Sequence, residues 1–331
     1  MKAIEISRHG GPEVLQMCER PKPVAGPHEV VIRVGAAGVN RPDVQQRKGL
    51  YPAPPGASDI PGLDTAGVIV KVGEAVRRWK EGDRVCALSA GGGYAEFCAV
   101  PESQVMPVPH GLGMAEAASL PEVYFTAWHN IMQLGRLDFR ETLLIQGGTS
   151  GVGMAAAQIA KVLRQARVLA TAGTSEKCAM CRRFGVDIAI NYREGEWADA
   201  VRNLVGDAGV DVILDSQAAD YVEKEVELLA MGGRLLLIAN HRGDYSNIRT
   251  RAFVQRSLTL TGAQIRRRDP VFKGKIASEL VSQVWPQLAA GTIKTHIQNK
   301  FPLSQAASAH AILDANEQVG KIVLVVDPGI E

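Results

Sequence analysis

A glycine-dense turn follows an apolar run near the middle of the chain, and an alanine-rich segment with helical spacing comes directly after it. A strand, a tight turn and a helix in this order form the corner that holds the pyrophosphate of a dinucleotide. We therefore predict that the whole turn contacts a nicotinamide cofactor. Its residues are Gly148, Thr149, Ser150, Gly151, Val152 and Gly153.

Ser150 stands where the general Gly-x-Gly-x-x-Gly pattern has its middle glycine. Glycine at that position lets the backbone approach the pyrophosphate closely. A serine can take the place if its hydroxyl contacts a phosphate oxygen or the nicotinamide side of the cofactor. We expect Ser150 to serve both cofactor binding and the reaction.

The second strand of this region ends without an acidic residue. An Asp or Glu there would bind the ribose 2′-hydroxyl of NAD and would repel a 2′-phosphate. The chain instead has Gly173, Thr174, Ser175 and Lys177, a helix start that suits the 2′-phosphate of NADPH. Alternatively, Ser175 only caps the helix and Lys177 is a solvated charge. Tyr192 either contacts the adenine or this phosphate, or is an ordinary half-buried tyrosine.

The elements around these residues predict an α/β protein with a doubly wound parallel sheet. Six apolar runs alternate with helical segments between residues 143 and 261. The preceding part, up to about residue 108, has short alternating runs with many Gly and Pro residues, as in a partly closed β-barrel. We assign residues 1–121 and 268–331 to the barrel domain and 122–267 to the cofactor domain. The tail should add one or two helices and a final strand to the barrel domain.

The bulk composition excludes several classes of protein. A length of 331 residues suits two domains of about 150 residues each. The net charge of +2 predicts no strong attraction to nucleic acid or anionic lipid. No apolar run approaches the ~20 residues that cross a bilayer, and no signal peptide is visible. Five scattered cysteines are typical of reduced thiols. We expect a cytoplasmic protein without nucleic-acid or membrane partners, in which the basic run 266–268 is a solvated loop.

The chain resembles the quinone oxidoreductase branch of the medium-chain dehydrogenase/reductase superfamily, with ζ-crystallin as a more distant member. The segments that carry the resemblance span nearly the whole chain. They are 40–43 (NRPD), 51–58 (YPAPPGAS), 150–153 (SGVG) and 320–324 (GKIVL). The resemblance implies a GroES-like β-barrel domain followed by a Rossmann NADPH-binding domain, with the active site in the cleft between them.

Zinc ligands are missing from the positions where this superfamily has them. Zinc alcohol dehydrogenases place a ligand Cys where Asn40 stands and a ligand His where Leu63 stands. Catalytic zinc needs about three protein ligands of Cys, His or carboxylate type. Cys178 and Cys181 lie on a predicted helix without a partner pair, so we interpret them as packing residues. We expect no metal. The acceptor should then be electrophilic already, such as a quinone or a conjugated carbonyl.

Tyr51 is the first candidate to contact the acceptor, because a phenol can donate a hydrogen bond or a proton to a developing oxyanion. Surface packing in a proline-rich loop is the alternative. The resemblance places Asn40 beside the nicotinamide, whereas a simple turn before Pro42 is the other possibility. Ser150 would share the polar role. Further cofactor contacts are expected from residues after the strands and on the entering helix: Thr126, Gln217, Ala239, Asn240 and Gln264.

The leading hypothesis is an NADPH-dependent quinone reductase, and an NADPH-dependent enoyl or alkenal reductase is the alternative. A non-catalytic NADPH-binding or RNA-binding protein is a weaker hypothesis. We also expect a homodimer, formed by pairing the sixth strands of two sheets. Leu258 and Leu260 flank this strand, which would otherwise be an open edge.

Overall fold

The computed structural model describes residues 1–330 and divides the chain into two compact units. Unit 1 contains Met1–Phe125 and the chain from Ile265 onward, and unit 2 is Thr126–Gln264. The sequence placed the divisions a few residues away, after residues 121 and 267. The first division lies inside a helix, where apolar periodicity gives no signal. The second division lies earlier than predicted, because Ile265 and Arg266 are buried and belong to unit 1.

The first part of unit 1 consists mainly of strands. They are β1 (Lys2–Ile6), β2 (Leu15–Glu19), β3 (Glu29–Val39), β4 (Asp64–Val72), β5 (Arg84–Leu88), β6 (Phe97–Pro101) and β7 (Val105–Pro107). The helices of this part are α1 (Arg41–Arg47), α2 (Met114–Ala118) and α3 (Pro121–Ala127). A π-helical segment, Trp128–Leu134, continues α3 directly.

Unit 2 alternates strands and helices, as predicted. Its strands are β8 (Thr142–Ile145), β9 (Arg167–Ala172), β10 (Ile188–Asn191), β11 (Val210–Asp215), β12 (Leu229–Leu237) and β13 (Thr259–Gly262). Its helices are α4 (Gly151–Arg164), α5 (Ser175–Arg183), α6 (Trp197–Val205), α7 (Asp220–Leu228) and α8 (Thr250–Arg256).

The tail returns to unit 1, as predicted, but it has more structure than expected. It contains α9 (Pro270–Gln283), α10 (Trp285–Ala289), α11 (Ala306–Asp314), β14 (Ile297–Pro302) and β15 (Lys321–Val325). The prediction of one or two helices was too low, because Pro286 divides what reads as one helical segment into α9 and α10 and α11 is a further short helix. Short 3₁₀ turns lie at Pro12–Val14, Glu102–Gln104, Gly206–Ala208 and Leu303–Gln305.

The sheet of unit 1 is built around β3, which is buried along nearly its whole length. β3 pairs antiparallel with β4, β6 and β15, and the main strand order is β14-β15-β3-β4-β5-β7. A core of fully buried side chains, including Val30, Ile32 and Val85, packs against it. This arrangement brings the start of β4 and the start of β15 close to the end of β3.

The sheet of unit 2 is entirely parallel, in the order β10-β9-β8-β11-β12-β13. Its central strands are apolar runs buried on both faces, with Leu144, Leu169 and Ile213 fully enclosed. The predicted doubly wound sheet is thereby confirmed. The chain first builds outward from β8 to β10 and then from β11 to β13, so the direction reverses between β8 and β11. Ligands of such sheets bind outside the carboxyl ends of the strands at this reversal.

None of the helices within residues 1–330 has the length and apolar character required to cross a membrane.

Candidate functional site

The predicted cofactor residues of unit 2 gather at one edge of the parallel sheet, because each group directly follows a strand. The glycine turn follows β8, Gly173 follows β9, and Tyr192 follows β10. On the other side of the reversal, Gln217 follows β11, and residues 239–240 follow β12. Parallel strands end at the same edge, so these residues, distant in the sequence, face one region.

The glycine turn is packed tightly against its neighbours. A Cβ on Gly148 would lie 2.6 Å from the Cβ of Ala170 and 2.8 Å from the Sγ of Cys181. A Cβ on Gly153 would lie 2.6 Å from the carbonyl oxygen of Gly147. These two glycines therefore let α4 and α5 approach the sheet. Within residues 1–330, the amides of Gly151 and Val152 have no acceptor, which leaves the start of α4 able to bind an anion.

Ser150 is the N-cap residue of helix α4. Its Oγ accepts a hydrogen bond from the amide of Gly153 at 2.9 Å. Its φ of −67° is an ordinary value for any L residue, so the backbone does not require glycine here. The hydroxyl hydrogen remains free to donate. The cap thus holds the Ser150 hydroxyl in a defined direction at the start of α4.

A buried polar network supports the turn from behind. The Gln146 amide donates to Glu225 Oε1 at 2.9 Å, and Gln146 Oε1 accepts from the Thr171 hydroxyl at 2.7 Å. The Gly147 amide in turn donates to Thr171 Oγ1 at 3.3 Å. Burial, and then the neighbouring Asp215 carboxylate, raise the pKa of Glu225 well above its ordinary value. The protonated, uncharged form of the Glu225 carboxyl group is thereby favoured.

The end of β9 brings together several of the residues predicted to bind a 2′-phosphate. Thr174, rather than Ser175, caps α5, since its Oγ1 accepts from the Lys177 amide at 3.2 Å. The Tyr192 Oη lies 2.5 Å from the point where a Cβ on Gly173 would be. A side chain at position 173 would therefore require the Tyr192 ring to shift.

Two neighbours of Tyr192 were missed by the sequence analysis. The Arg193 Nε lies 3.5 Å from the same point beside Gly173. Glu194 Oε1 accepts hydrogen bonds from the Ser175 hydroxyl at 3.1 Å and from the Asn191 amide at 2.6 Å. Their position directly after Tyr192 was the signal that could have found them. A cation and a carboxylate thus both lie beside the predicted phosphate site.

The loops after β11 and β12 contact each other through their backbones. The Arg242 amide donates to the Gln217 carbonyl at 2.9 Å, and the Asn240 side chain donates to Asp244. These contacts hold residues 238–243 beside the end of β11. Thr126 and Gln264 are the terminal residues of unit 2.

In unit 1, Asn40 belongs to a buried charged cluster. Its Nδ2 donates to Asp64 Oδ2 at 2.8 Å, and its Oδ1 accepts from the Lys321 ammonium at 2.5 Å. Lys321 also forms an ion pair with Asp64 at 2.9 Å. Asp64 Oδ1 accepts from the Glu122 amide at 2.6 Å. The cluster holds the Asn40 amide in one orientation at the start of α1, where its backbone amide donates to Asp43.

This cluster does not fit a zinc ion. The Lys321 ammonium lies beside Asn40, and a divalent cation at Asn40 would be repelled by it. Leu63, which offers no ligand atom, is buried. Within residues 1–330, no group of three or more His, Cys, Asp or Glu side chains is placed to hold a metal. Cys178 and Cys181 are both buried thiols of α5.

Tyr51 lies in the loop after α1, and the structure places Arg266 beside it. The prediction of a solvated basic run is wrong for Arg266, which is only 6% exposed. Its guanidinium donates to the carbonyl oxygens of Ala90 and Tyr51 and to the Gln46 side chain. Charge and sequence spacing could not show this, because the partners lie more than 170 positions away in the chain. The adjacent Arg267 and Arg268 are exposed, as expected.

Known proteins match the chain along nearly all of its length. Residues 26–110 match the alcohol dehydrogenase GroES-like domain, and residues 151–281 match the zinc-binding dehydrogenase family. A quinone oxidoreductase from Rattus norvegicus is 32% identical over 329 residues, covering 98% of each chain. This chain belongs to the quinone oxidoreductase family. The match confirms the predicted resemblance and the predicted pairing of a GroES-like with a Rossmann-type domain.

The solved structures of two oxidoreductases are also similar to this chain. An Escherichia coli quinone oxidoreductase complexed with NADPH has a TM-score of 0.88 and 29% identity, covering 98% of this chain and 100% of that one. The JamJ enoyl reductase has a TM-score of 0.86 and 25% identity, covering 98% of each chain.

We predict that Lys321→Met will lower the free energy of unfolding by about 3–5 kcal/mol, because it leaves the fully buried Asp64 carboxylate without its ion-pair partner. Lys224→Met is the matched control. Lys224 forms an ion pair with Glu196 in which both side chains are more than a third exposed, so the loss should be at most about 1 kcal/mol. Urea unfolding measures both. Equal losses in the two variants would contradict the importance of the buried pair.

We predict that Glu225→Gln will flatten the pH dependence of stability. Above about pH 4.5 an unfolded Glu225 loses its proton, whereas the folded protein retains it. The free energy of unfolding of the natural protein should therefore fall as the pH rises, and that of the variant should fall less. Urea titrations at about pH 5 and about pH 9 measure this. Glu227→Gln, an exposed position on the same helix, should retain the natural slope. Identical slopes for all three proteins would disprove the assignment.

Proposed function

We propose that the protein is a zinc-independent, NADPH-dependent reductase that transfers a hydride to a quinone. Its likeness to quinone oxidoreductases over 98% of the chain supports this class of reaction. One observation supports the proposal that the reaction does not use zinc. The Asn40 amide, at the position of a zinc ligand in the related alcohol dehydrogenases, accepts from the Lys321 ammonium at 2.5 Å. An ammonium there takes the place in which a metal would have to be held.

The residues of unit 2 suit NADPH, which when bound supplies the hydride from its nicotinamide ring. The free amides of Gly151 and Val152 would bind the pyrophosphate. The start of α5, which lacks an acid at the end of β9, would bind the 2′-phosphate together with Tyr192 and Arg193. The similar Escherichia coli and mycobacterial proteins whose structures contain NADPH support this cofactor. The remaining contacts would come from Thr126, Gly148, Thr149, Gly153, Gly173, Thr174, Ser175, Lys177, Gln217, Ala239, Asn240 and Gln264.

Three polar side chains would act on the acceptor and the nicotinamide. Tyr51 donates a hydrogen bond or proton to the acceptor oxygen on which negative charge develops. Ser150 contributes its free hydroxyl hydrogen, in the direction that the cap of α4 imposes. Asn40 presents its amide beside the nicotinamide, oriented by Asp64 and Lys321.

An enoyl or alkenal reductase is the second candidate function. The likeness to the JamJ enoyl reductase, at 25% identity over 98% of the chain, favours it. A conjugated carbonyl, like a quinone, is electrophilic enough to accept a hydride without a Lewis acid.

The five free cysteines support a reducing compartment such as the cytoplasm.

The test follows the oxidation of NADPH or NADH by an ortho-quinone, a para-quinone, an alkenal and an enoyl thioester. We expect faster turnover with NADPH than with NADH, and with a quinone than with the other acceptors. Tyr51→Phe and Ser150→Ala should each lower kcat/KM by about 10- to 100-fold, within the range for a lost proton or hydrogen-bond donor. Tyr245→Phe, at a position 90% exposed, is the control. A preference for NADH, or for the enoyl thioester, would reject the proposed cofactor or acceptor.

We also propose that the protein forms a homodimer through β13. This strand pairs with β12 on one side only, so its other edge is open. Leu258 and Leu260, which we expected to flank this edge, pack against the core of unit 2 and are only partly buried. The open backbone edge is therefore the main support for pairing.

Size-exclusion chromatography should give about twice the chain mass of 35.5 kDa. Thr259→Lys, on the exposed side of the strand, should shift the protein toward the monomer, because a charge on an edge strand opposes pairing. Val24→Lys, an exposed position in unit 1, should leave the mass unchanged. A monomer in the natural protein would reject the dimer.

A further inference from the structure

The buried guanidinium of Arg266 is not used by any step described above. All five of its N–H groups lie in a side chain that is 6% exposed. Its Nε and Nη2 both donate to the Ala90 carbonyl, at 2.9 and 2.8 Å. Nη2 also donates to Gln46 Oε1 at 2.6 Å, and Nη1 donates to the Tyr51 carbonyl at 3.3 Å. The planar fork of the guanidinium makes four hydrogen bonds here, whereas an ammonium has only three N–H donors.

These acceptors are all neutral, and within residues 1–330 no carboxylate lies within ion-pair distance of Arg266. Burial lowers the pKa of Arg266, and the more distant Asp43 carboxylate opposes this. Removing a cation from water costs free energy that neutral acceptors repay only in part. A neutral side chain could serve mere packing at lower cost. The position therefore calls for a role that uses the guanidinium itself.

Arg266 contacts one end of the loop that carries Tyr51 directly and the other end through Gln46. The guanidinium carbon lies 5.3 Å from the centroid of the Tyr51 ring, within the range of a cation–π contact. At the other end of the loop, the Gln46 amide donates to the Asp59 carbonyl at 3.0 Å. Gln46 thus connects Asp59 to Arg266, and the segment between Tyr51 and Asp59 contains no helix or strand. These side-chain contacts therefore add to the backbone bond from the Tyr51 amide to the Gln45 carbonyl in holding the loop.

Arg266 is itself held in place from the tail of unit 1. The buried Lys273, in the first turn of α9, donates from Nζ to the Arg266 carbonyl at 3.2 Å. Lys273 thus fixes the backbone of Arg266, and the bonds to Ala90 fix its guanidinium.

We propose that Arg266 is a positioning residue for the acceptor site, which fixes the ring and backbone of Tyr51 so that its hydroxyl points at the acceptor oxygen. The inference rests on the proposed role of Tyr51. The hydrogen bonds to Ala90 and Gln46 position the guanidinium. The guanidinium in turn positions Tyr51 through its contacts with the ring and the carbonyl oxygen. Misplacing a donor by about 1 Å costs up to ~100-fold in rate, which is the scale of effect that this role requires.

The test is a double-mutant cycle on kcat/KM for the quinone. Arg266→Gln should lower kcat/KM by about 10- to 100-fold, mainly through kcat. In a Tyr51→Phe background, Arg266→Gln should cost less than about twofold more, because the hydroxyl that it positions is already absent. The Kd for NADPH should stay within about twofold in every variant. Arg267→Gln, at the exposed neighbouring position, should keep the activity of the natural protein.

Two further outcomes separate this inference from the proposed function. Full activity of Tyr51→Phe would reject the role of Tyr51 and with it the inference. A loss in Tyr51→Phe without a loss in Arg266→Gln, or fully additive losses, would reject the inference alone. If Arg266→Gln does not fold, Gln46→Met replaces it in the cycle, since it removes one acceptor of the fork and the link to Asp59. Arg266→Lys keeps the charge without the fork, and full rescue by it would also overturn a positioning role.

Discussion

The ion pair between Lys321 and Asp64 is the interaction on which unit 1 most depends. It joins the first residue of β15 to the first residue of β4, more than 250 positions apart in the chain. Both charges are buried, so neither can exist there without the other. The sheet order makes the meeting possible, because β3 pairs with both strands. The same two groups then orient Asn40, so the contact that closes the sheet also sets the direction of a proposed active-site amide.

In unit 2, hydrogen bonds rather than an ion pair hold the glycine turn in place. The glycine turn is supported by Gln146 and Thr171, and the chain of hydrogen bonds ends at the Glu225 carboxyl group, whose pKa burial raises. This network lies behind the turn and leaves the positive potential at the start of α4 available to an anionic ligand. Unit 1 therefore orients its polar group by an ion pair, and unit 2 supports its turn by hydrogen bonds.

Much of the fold followed from periodicity, and the parts that did not have physical reasons. The parallel sheet of unit 2 could be predicted because its strands are apolar runs that alternate with helical segments. The extra helix and strand of the tail were missed because residues 286–314 contain short elements and two prolines, Pro286 and Pro302. The inward packing of Leu258 and Leu260 was missed because periodicity does not tell which side of an edge strand faces the core.

Contacts between distant segments limited the prediction of the candidate site in the same way. Local patterns pointed to the glycine turn, Tyr51 and Tyr192 as candidates, since each stands beside a recognisable element, and the family resemblance pointed to Asn40. Arg266 was misjudged because a basic run in a loop has the same appearance whether it is solvated or buried. Glu194 was missed because its partner Ser175 precedes it by 19 positions and lies on another element. Only the folded backbone brings such pairs together.

The glycine turn shows how a departure from a sequence pattern can be judged physically. Glycine is required where φ is positive or where a Cβ would collide, and both conditions can be examined at each position. Gly147 has a φ of 81°, and Gly148 and Gly153 have no room for a Cβ. Position 150 meets neither condition within the protein, so a side chain there costs nothing in folding and supplies a helix cap. The serine is therefore compatible with the turn, and its hydroxyl adds a polar group where glycine would offer only space.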